Sequence, residues 1–408
     1  MEEAWGLDEN PFPHSAISGG NEPYSAEVFP EETKEFDTKM VRGAMQGRRS
    51  IGYLWSRGPG GDTGYGKTAL MRDTVRRINA DWGETVERGT GMKENRIAPI
   101  VAGFAELNTM TRTGMYPLLF NAVLGMASGA DAPLLRAHHL IAEALGTDAS
   151  EKIADKLSET RLEVAPTASA LRPDVLDVFC DAPDELAEFL GSVSDAGQIR
   201  NGIQYLSFAM VAFAAAGAKK VFLMIDQLED LATNKALAAS KRRREIGRIR
   251  DLMETEPYAS MLHMAFTFHA TAARELETFW EANRLPSFED SSSNQASVVV
   301  LRGLRDDDQV EALLKVWMEP QRNGISVPDD LVPFDRDALT VLRQLSQGRV
   351  GILLNKAHEL FQAGAEAQVG RIDAAFARSH FAGTAEDGSA PGHEEEEDDV
   401  SNVADLLA

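Results

Sequence analysis

Ile51-Gly52-Tyr53-Leu54-Trp55 runs into Gly61-Asp62-Thr63-Gly64-Tyr65-Gly66-Lys67-Thr68, and a helix-compatible run follows to Asn79. An apolar strand, a glycine loop and a helix in that order decide the fold. Consecutive backbone N–H groups of such a loop wrap phosphate oxygens, and the glycines permit the curl. The next helix aims the positive end of its dipole at the same anion. Lys67 then reaches the β and γ phosphates of a nucleotide, and the Thr68 hydroxyl faces Mg²⁺. A chance glycine turn followed by Lys-Thr explains the eight residues alone. It does not explain a strand directly before them and a helix directly after.

A phosphate loop of this kind works with a second acid at the tip of a neighbouring strand, which holds the metal ion. Val221-Phe222-Leu223-Met224-Ile225-Asp226 has that form, five apolar residues and then a carboxylate. Further apolar strands are expected at 97–104, 261–268 and 298–301, with helical segments between them. Strands alternating with helices predict a parallel sheet covered on both faces, an α/β fold.

Composition narrows the classes. The chain has 408 residues, 43 % hydrophobic and 26 % charged, which suits two or three globular domains. One cysteine, Cys180, leaves no disulfide framework within the chain and fits a reducing cytosol. The opening Met1-Glu2-Glu3 lacks the basic-then-apolar order of a secretory signal, so a cytoplasmic location is expected. Ile203 to Ala218 is almost wholly apolar, but it is interrupted by Gln204, Tyr205 and Ser207 and falls short of the ~20 residues of a membrane span. A buried helix leading into a buried strand accounts for it, and no membrane partner is expected. With 41 Lys+Arg against 64 Asp+Glu the net charge is −23, which argues against a general nucleic-acid coat. A local basic strip remains at Lys241-Arg242-Arg243-Arg244, continuing through Arg248 and Arg250.

The expected organisation is an irregular lead-in over 1–30, an α/β core over 31–305 with a helical insertion at about 130–200, a helical lid over 306–383 and a disordered acidic tail over 384–408. In the lead-in, Trp5-Gly6-Leu7 and Asn10-Pro11-Phe12 supply large apolar groups able to clip onto a domain.

The order of loop, Asp-ended strand, further strand and C-terminal helical lid resembles the AAA+ ATPases and their STAND relatives. Within these it looks most like the branch holding origin-recognition and Cdc6-type proteins and the TniB and ExeA-like ATPases. Gly6-Leu7 with Asn10-Pro11-Phe12 resembles the opening of the ExeA-like group. The resemblance spans roughly residues 45–380, the insertion excepted, and its sharp parts are the two motifs. It implies ATP and Mg²⁺ as ligands, ATPase activity, self-assembly into oligomers with recruited partner proteins, and a setting in a bacterial DNA transaction or in phage defence.

Departures from that pattern are as informative. The family usually has Glu directly after the strand-end Asp, where it polarises the attacking water. Here Gln227 stands there, followed by Leu228 and Glu229. Glutamine has no carboxylate and cannot act as a base, although it can orient a water. Either Glu229 takes over, or hydrolysis is slow and nucleotide binding is itself the signal. The sensor 1 position falls on Thr267 or His269, which spacing does not separate. The sensor 2 alignment puts Gly351 at the arginine position, with Arg349 two residues earlier. Arg284 is the nearest fit to an arginine finger and Arg274 the second; each also reads as an ordinary solvated arginine.

The strip Lys241–Arg250 offers the phosphates of DNA or RNA a place to dock, against the plainer reading of a charged helix face balanced by Glu245, Asp251 and Glu254. His138-His139 has no acid or cysteine at ligand spacing and reads as structural. The acidic run Glu394-Glu395-Glu396-Glu397-Asp398-Asp399 and the apolar residues after it form a possible tether for a partner protein.

Overall fold

The computed structural model describes residues 5–14, 24–45, 51–56, 63–90, 99–106, 114–129, 131–166, 170–228, 231, 238–289, 296–322 and 329–386. The chain divides into two compact units, one of residues 31–55 and 70–300, the other of residues 1–30, 56–69 and 301–408.

The larger unit is built on a five-stranded sheet. Strands β1 (Ile51–Ser56), β2 (Ile100–Glu106), β3 (Lys220–Asp226), β4 (Leu262–Thr267) and β5 (Ala296–Leu301) lie in the order β2-β3-β4-β1-β5. The β2–β3, β3–β4 and β1–β4 pairs are parallel. Strands buried on both faces read as unbroken apolar runs, and that is how β1, β3 and β4 read: each is buried along essentially its whole length. The α/β class expected from the alternation of elements is the fold observed. β2 starts and ends later than the 97–104 reading. It continues to Glu106, which pairs in register with Asp226.

β2 lies at an edge of the sheet. Asn79 covers it like a short strand: its amide donates to the Ala102 carbonyl and its oxygen accepts from the Ala102 N–H, both at 2.9 Å. Helix Pro30–Met45 is tied to helix Lys67–Asp81 by Arg77, whose fork holds both carboxylate oxygens of Asp37, at 2.7 and 3.0 Å, and one of Asp73 at 2.6 Å. Burial is the largest influence on Asp37 and raises its carboxyl above the usual value despite Arg77.

The inserted segment is helical, as expected. Helices Pro133–Leu145, Ser150–Val164, Pro173–Asp181 and Leu186–Gly191 lead into Asp195–Ala215, which packs on Met115–Ala127. The long apolar stretch is therefore a buried helix followed by β3, and no described helix is long and apolar enough to cross a membrane. Cys180 is buried, and burial pushes its thiol up to about 12, which leaves it unreactive. His138 packs edge-on against Phe179, with ring centroids 5.3 Å apart, and burial lowers its pKa.

In the smaller unit, helices Asp307–Met318, Arg336–Ser346, Val350–Glu366 and Ala374–Glu386 enclose a second apolar core. The N-terminal apolar residues belong to it. Trp5 is 1 % exposed, meets Phe361 edge-on at 5.0 Å and donates from Nε1 to the Gly370 carbonyl. Phe12 is buried against Phe334 and Phe361. Asn10 and His358 exchange contacts with each other's neighbourhoods: Asn10 Nδ2 donates to the His358 carbonyl, and His358 Nδ1 lies 2.7 Å from the Phe12 carbonyl.

Two stability predictions follow from the larger unit. A Cβ at Gly202 would lie 2.1 Å from the Tyr116 carbonyl oxygen, whereas one at Gly125 would meet nothing closer than 3.9 Å. Both glycines are helical, so alanine gains roughly 1 kcal/mol in propensity at either site. Overpacking costs about 1–3 kcal/mol. Denaturant melts should show Gly202→Ala less stable than wild type and Gly125→Ala equal or more stable. His138 contributes a pH dependence of its own. Its folded-state pKa lies below the unfolded value of 6.5, so its contribution is present above that pH and is lost as pH falls. Midpoints measured between pH 7.5 and 5 should fall less steeply for His138→Leu than for wild type.

Candidate functional site

The described part of the glycine loop is Thr63–Thr68; Gly61 and Asp62 lie outside the described residues. Gly64 and Gly66 have φ of 78° and 83°, a left-handed conformation that side chains resist. These two turns bring the chain into helix Lys67–Asp81, so Lys67 and Thr68 form its first residues. Lys67 is buried, and its Nζ donates to Oγ of Ser56, the last residue of β1, at 3.2 Å. Thr68 is half-buried.

The loop is also held from the lid side of its own unit. The Gly351 N–H, in the first turn of helix Val350–Glu366, donates to the Gly64 carbonyl at 2.8 Å. Tyr65 is buried, and a Cβ at Gly303 would lie 2.9 Å from its ring and 2.5 Å from the Gly348 carbonyl. Gly351 occupies the position that the family resemblance gives to an arginine. What it supplies to the loop is a backbone donor. Arg349 stands at the helix N-cap, with Nε 3.5 Å from the Ser346 carbonyl.

In the larger unit, Asp226 ends β3 and is 2 % exposed. The Thr267 hydroxyl donates to Asp226 Oδ1 and accepts from the Gln227 N–H at 3.0 Å. The same N–H lies 3.1 Å from Asp226 Oδ1, and the Leu228 N–H donates to the Thr267 carbonyl at 3.0 Å. Gln227 has φ of 60°, an unusual conformation for a residue with a Cγ and one that recurs at functional sites. The peptide after the acid is thus pinned from three directions.

This geometry distinguishes the two sensor candidates. Thr267 is the last residue of β4 and is buried, with its hydroxyl engaged by Asp226 and Gln227. It positions the acid. His269 is half-buried at the N-cap of helix Ala270–Ala282, without a capping bond from its ring. Glu229 lies outside the described residues. Arg284 is exposed, with φ of 54°, and its carbonyl accepts from Arg250 Nη1 at 2.9 Å. Arg274 is exposed on its helix.

The basic strip lies on helix Ala239–Glu254, and the structure divides it. Glu245, in the middle of the run, is 1 % exposed: it accepts from the Met115 N–H at 2.9 Å and from Arg248 at 2.5 Å, capping helix Met115–Ala127. Arg248 stacks 3.8 Å above the Tyr116 ring, and Arg250 pairs with Glu254. Arg243 and Arg244 are the exposed members. Among the described residues no group of three or more His, Cys, Asp or Glu is arranged to hold a metal, His138-His139 included.

Sequence reasoning overlooked Ser56, Arg72, Glu106 and the role of Glu245. Arg72 Nη2 donates to Glu106 Oε2 at 3.1 Å while its guanidinium lies 4.8 Å from the Phe104 ring centroid. The alternation of Phe104 and Glu106 about Ala105 was the available signal for Glu106.

No family model matches the chain, and no curated protein does. Among solved structures it is similar to the Aeropyrum pernix ORC1 protein in complex with DNA, at 13 % identity and a TM-score of 0.40 over 93 % of this chain and 69 % of that one. It is similar to the Aeropyrum pernix ORC2 protein in ADPNP–ADP complexes, at 10 % identity and 0.46 over 90 % and 71 %. A third is Drosophila ORC bound to DNA, at 11 % and 0.36 over 94 % and 65 %.

Replacing Thr267 by valine keeps its shape and removes the hydroxyl that joins Asp226 to Gln227. Breaking such a buried bond costs about 1–3 kcal/mol. Chemical denaturation should show that loss for Thr267→Val and a smaller one for Thr267→Ser, which keeps the hydroxyl.

Proposed function

We propose that this chain is an ATP-binding switch of the AAA+ type, with intrinsically slow hydrolysis. The observation that carries the reading is the loop Thr63–Thr68: two left-handed glycines deliver the chain into a helix that opens on a buried lysine beside the end of a strand. In the proposed state Lys67 leaves Ser56 for the β and γ phosphates, and the amides of Gly64, Tyr65 and Gly66 cradle them.

By the motif resemblance, Thr68 and Asp226 are the residues that would hold a magnesium ion bound with the nucleotide. Thr68 offers a hydroxyl, Asp226 is a buried carboxylate already oriented by Thr267, and the remaining ligands come from phosphates and water. Mg²⁺, when bound with ATP, neutralises charge on the phosphates. Gln227 follows Asp226 with its backbone fixed, so the neighbouring side chain orients a water without taking its proton.

The setting we propose, a bacterial DNA transaction or phage defence with self-assembly and recruited proteins, follows the motif resemblance. Arg243 and Arg244 are the exposed residues available to DNA, and the tail around Glu394–Asp399, outside the described residues, is the candidate tether for a partner. Arg284 keeps its place as the candidate finger toward a neighbouring copy. A second reading has support from the strip itself. Because Glu245 is internal and Arg248 and Arg250 are tied down, a STAND-type signalling NTPase without DNA contact is the alternative.

The test is equilibrium binding of ATP with Mg²⁺ and steady-state turnover, with and without DNA. Removing the charge that meets the phosphates, in Lys67→Ala, should weaken binding at least ~10-fold. Gln227→Glu, which restores a carboxylate, should raise turnover about 10-fold or more. Binding unchanged in Lys67→Ala would remove the nucleotide reading. DNA-stimulated turnover lost on charge reversal at Arg243 and Arg244 would favour the DNA setting.

A further inference from the structure

Helix Ala270–Ala282 ends in a Schellman turn within the larger unit. The Leu285 N–H donates to the Trp280 carbonyl at 3.1 Å, and the Arg284 N–H to the Glu281 carbonyl at 2.9 Å. The left-handed position of such a turn is usually glycine, because a Cβ there is strained. Here it is Arg284, with φ of 54°. An exposed arginine stands where glycine would suit the backbone better.

The turn docks on helix Ala239–Glu254 of the same unit. Asn283 Nδ2 donates to the Arg243 carbonyl at 3.4 Å, and a Cβ at Gly247 would lie 3.2 Å from Asn283 Oδ1. Arg250 Nη1 donates to the Arg284 carbonyl at 2.9 Å and is itself paired with Glu254. Positions 243, 247 and 250 share one side of the helix. The backbone of Arg284 is thus fixed beside the strip that carries Arg243 and Arg244.

All three arginines are exposed. Among the described residues, the side chains of Arg243 and Arg284 carry no salt bridge. Arg244 reaches Glu245 at 3.5 Å, but that carboxylate is buried and already bound by Arg248 and the Met115 N–H. Three guanidinium forks at one junction of two helices are therefore open to an outside acceptor. Arginine forks match phosphate geometry, and a fixed backbone lowers the cost of ordering them.

We propose that Arg284 joins Arg243 and Arg244 in one corner that grips the phosphate backbone of duplex DNA. The proposal rests on the DNA setting read above and adds to it a residue from a second element. Such contacts fix the protein on the duplex without reading its sequence. This role differs from that of a finger toward a neighbouring copy, and the two separate experimentally.

Binding of a labelled DNA duplex by the full chain, measured across a salt series beside thermal melting, tests this. Arg284→Gly removes the strain and the side chain together, so it should melt no lower than wild type. It should bind about 3- to 10-fold more weakly, with the slope of log affinity against log salt reduced by roughly 0.9. Arg243→Gln should show a similar loss, equal on duplexes of unrelated sequence. Arg378→Gln, the same charge change on helix Ala374–Glu386, should stay within about 2-fold of wild type. Should Arg284→Gly melt early, Arg284→Asn, which also tolerates the left-handed conformation, is read in the same way. An unchanged affinity and slope in Arg284→Gly, with charge reversal at Arg243 and Arg244 still weakening binding, would overturn the proposal and leave the DNA setting standing. An equal loss in Arg378→Gln would also overturn it, by making the effect one of net charge. So would ATP turnover lost in Arg284→Gly with DNA affinity intact, the outcome for a finger. A wild type without affinity for the duplex would end the DNA setting and the proposal with it.

Discussion

The Thr267 hydroxyl bonds the tip of β4 to the tip of β3, and the chemistry proposed at the sheet edge depends on that bridge. A carboxylate 2 % exposed is costly unless donors surround it. Thr267 supplies one donor to Asp226 and, through its oxygen, holds the following amide. The consequence is a fixed direction for the acid and a left-handed Gln227. The hydroxyl can reach both groups because β3 and β4 are parallel, with Ile225 beside Phe266 in the register. The same register on the other side of β3 places Glu106 beside Asp226. A parallel sheet thereby collects at one edge side chains from residues far apart in the chain.

The loop meets a comparable constraint in the smaller unit. Gly64 turns left-handed, and its carbonyl takes the Gly351 N–H from the first turn of a lid helix. The amide of Gly351 bonds the loop backbone directly, where the family pattern has an arginine side chain. Tyr65 and the contact surface at Gly303 and Gly348 add a packed layer beneath. Within that unit the loop and helix Val350–Glu366 are thus joined by a backbone hydrogen bond and by this packing.

Much of the fold is legible in the residues because buried parallel strands are continuous apolar runs. The 51–55 and 221–225 segments announce themselves that way, and the lid helices through their periodicity. The interrupted apolar run at 203–218 is likewise readable as a buried helix by its length. The loop glycines were legible as well, since a phosphate cradle demands left-handed positions. Partners were not. Nothing in the sequence aligns Glu106 with Asp226, since register is set by tertiary packing, and a glutamate after Ala105 looks like the start of a loop. Glu245 was misread as part of a solvated face because its neighbours are three arginines; its burial comes from the end of helix Met115–Ala127 lying over it. The choice between Thr267 and His269 needed the hydroxyl's bonds to be seen. The base candidate Glu229 lies outside the described residues.

The central claim is that the loop Gly61–Thr68 is a nucleotide site, and the most direct measurement is a crystal structure of the full chain with a non-hydrolysable ATP analogue and Mg²⁺. The account predicts phosphates on the amides of Gly64 to Lys67, Lys67 Nζ moved from Ser56 to a phosphate oxygen, and Asp226 facing the metal. Crystals grown with saturating analogue in which Lys67 still donates to Ser56, with the analogue bound elsewhere, would contradict it.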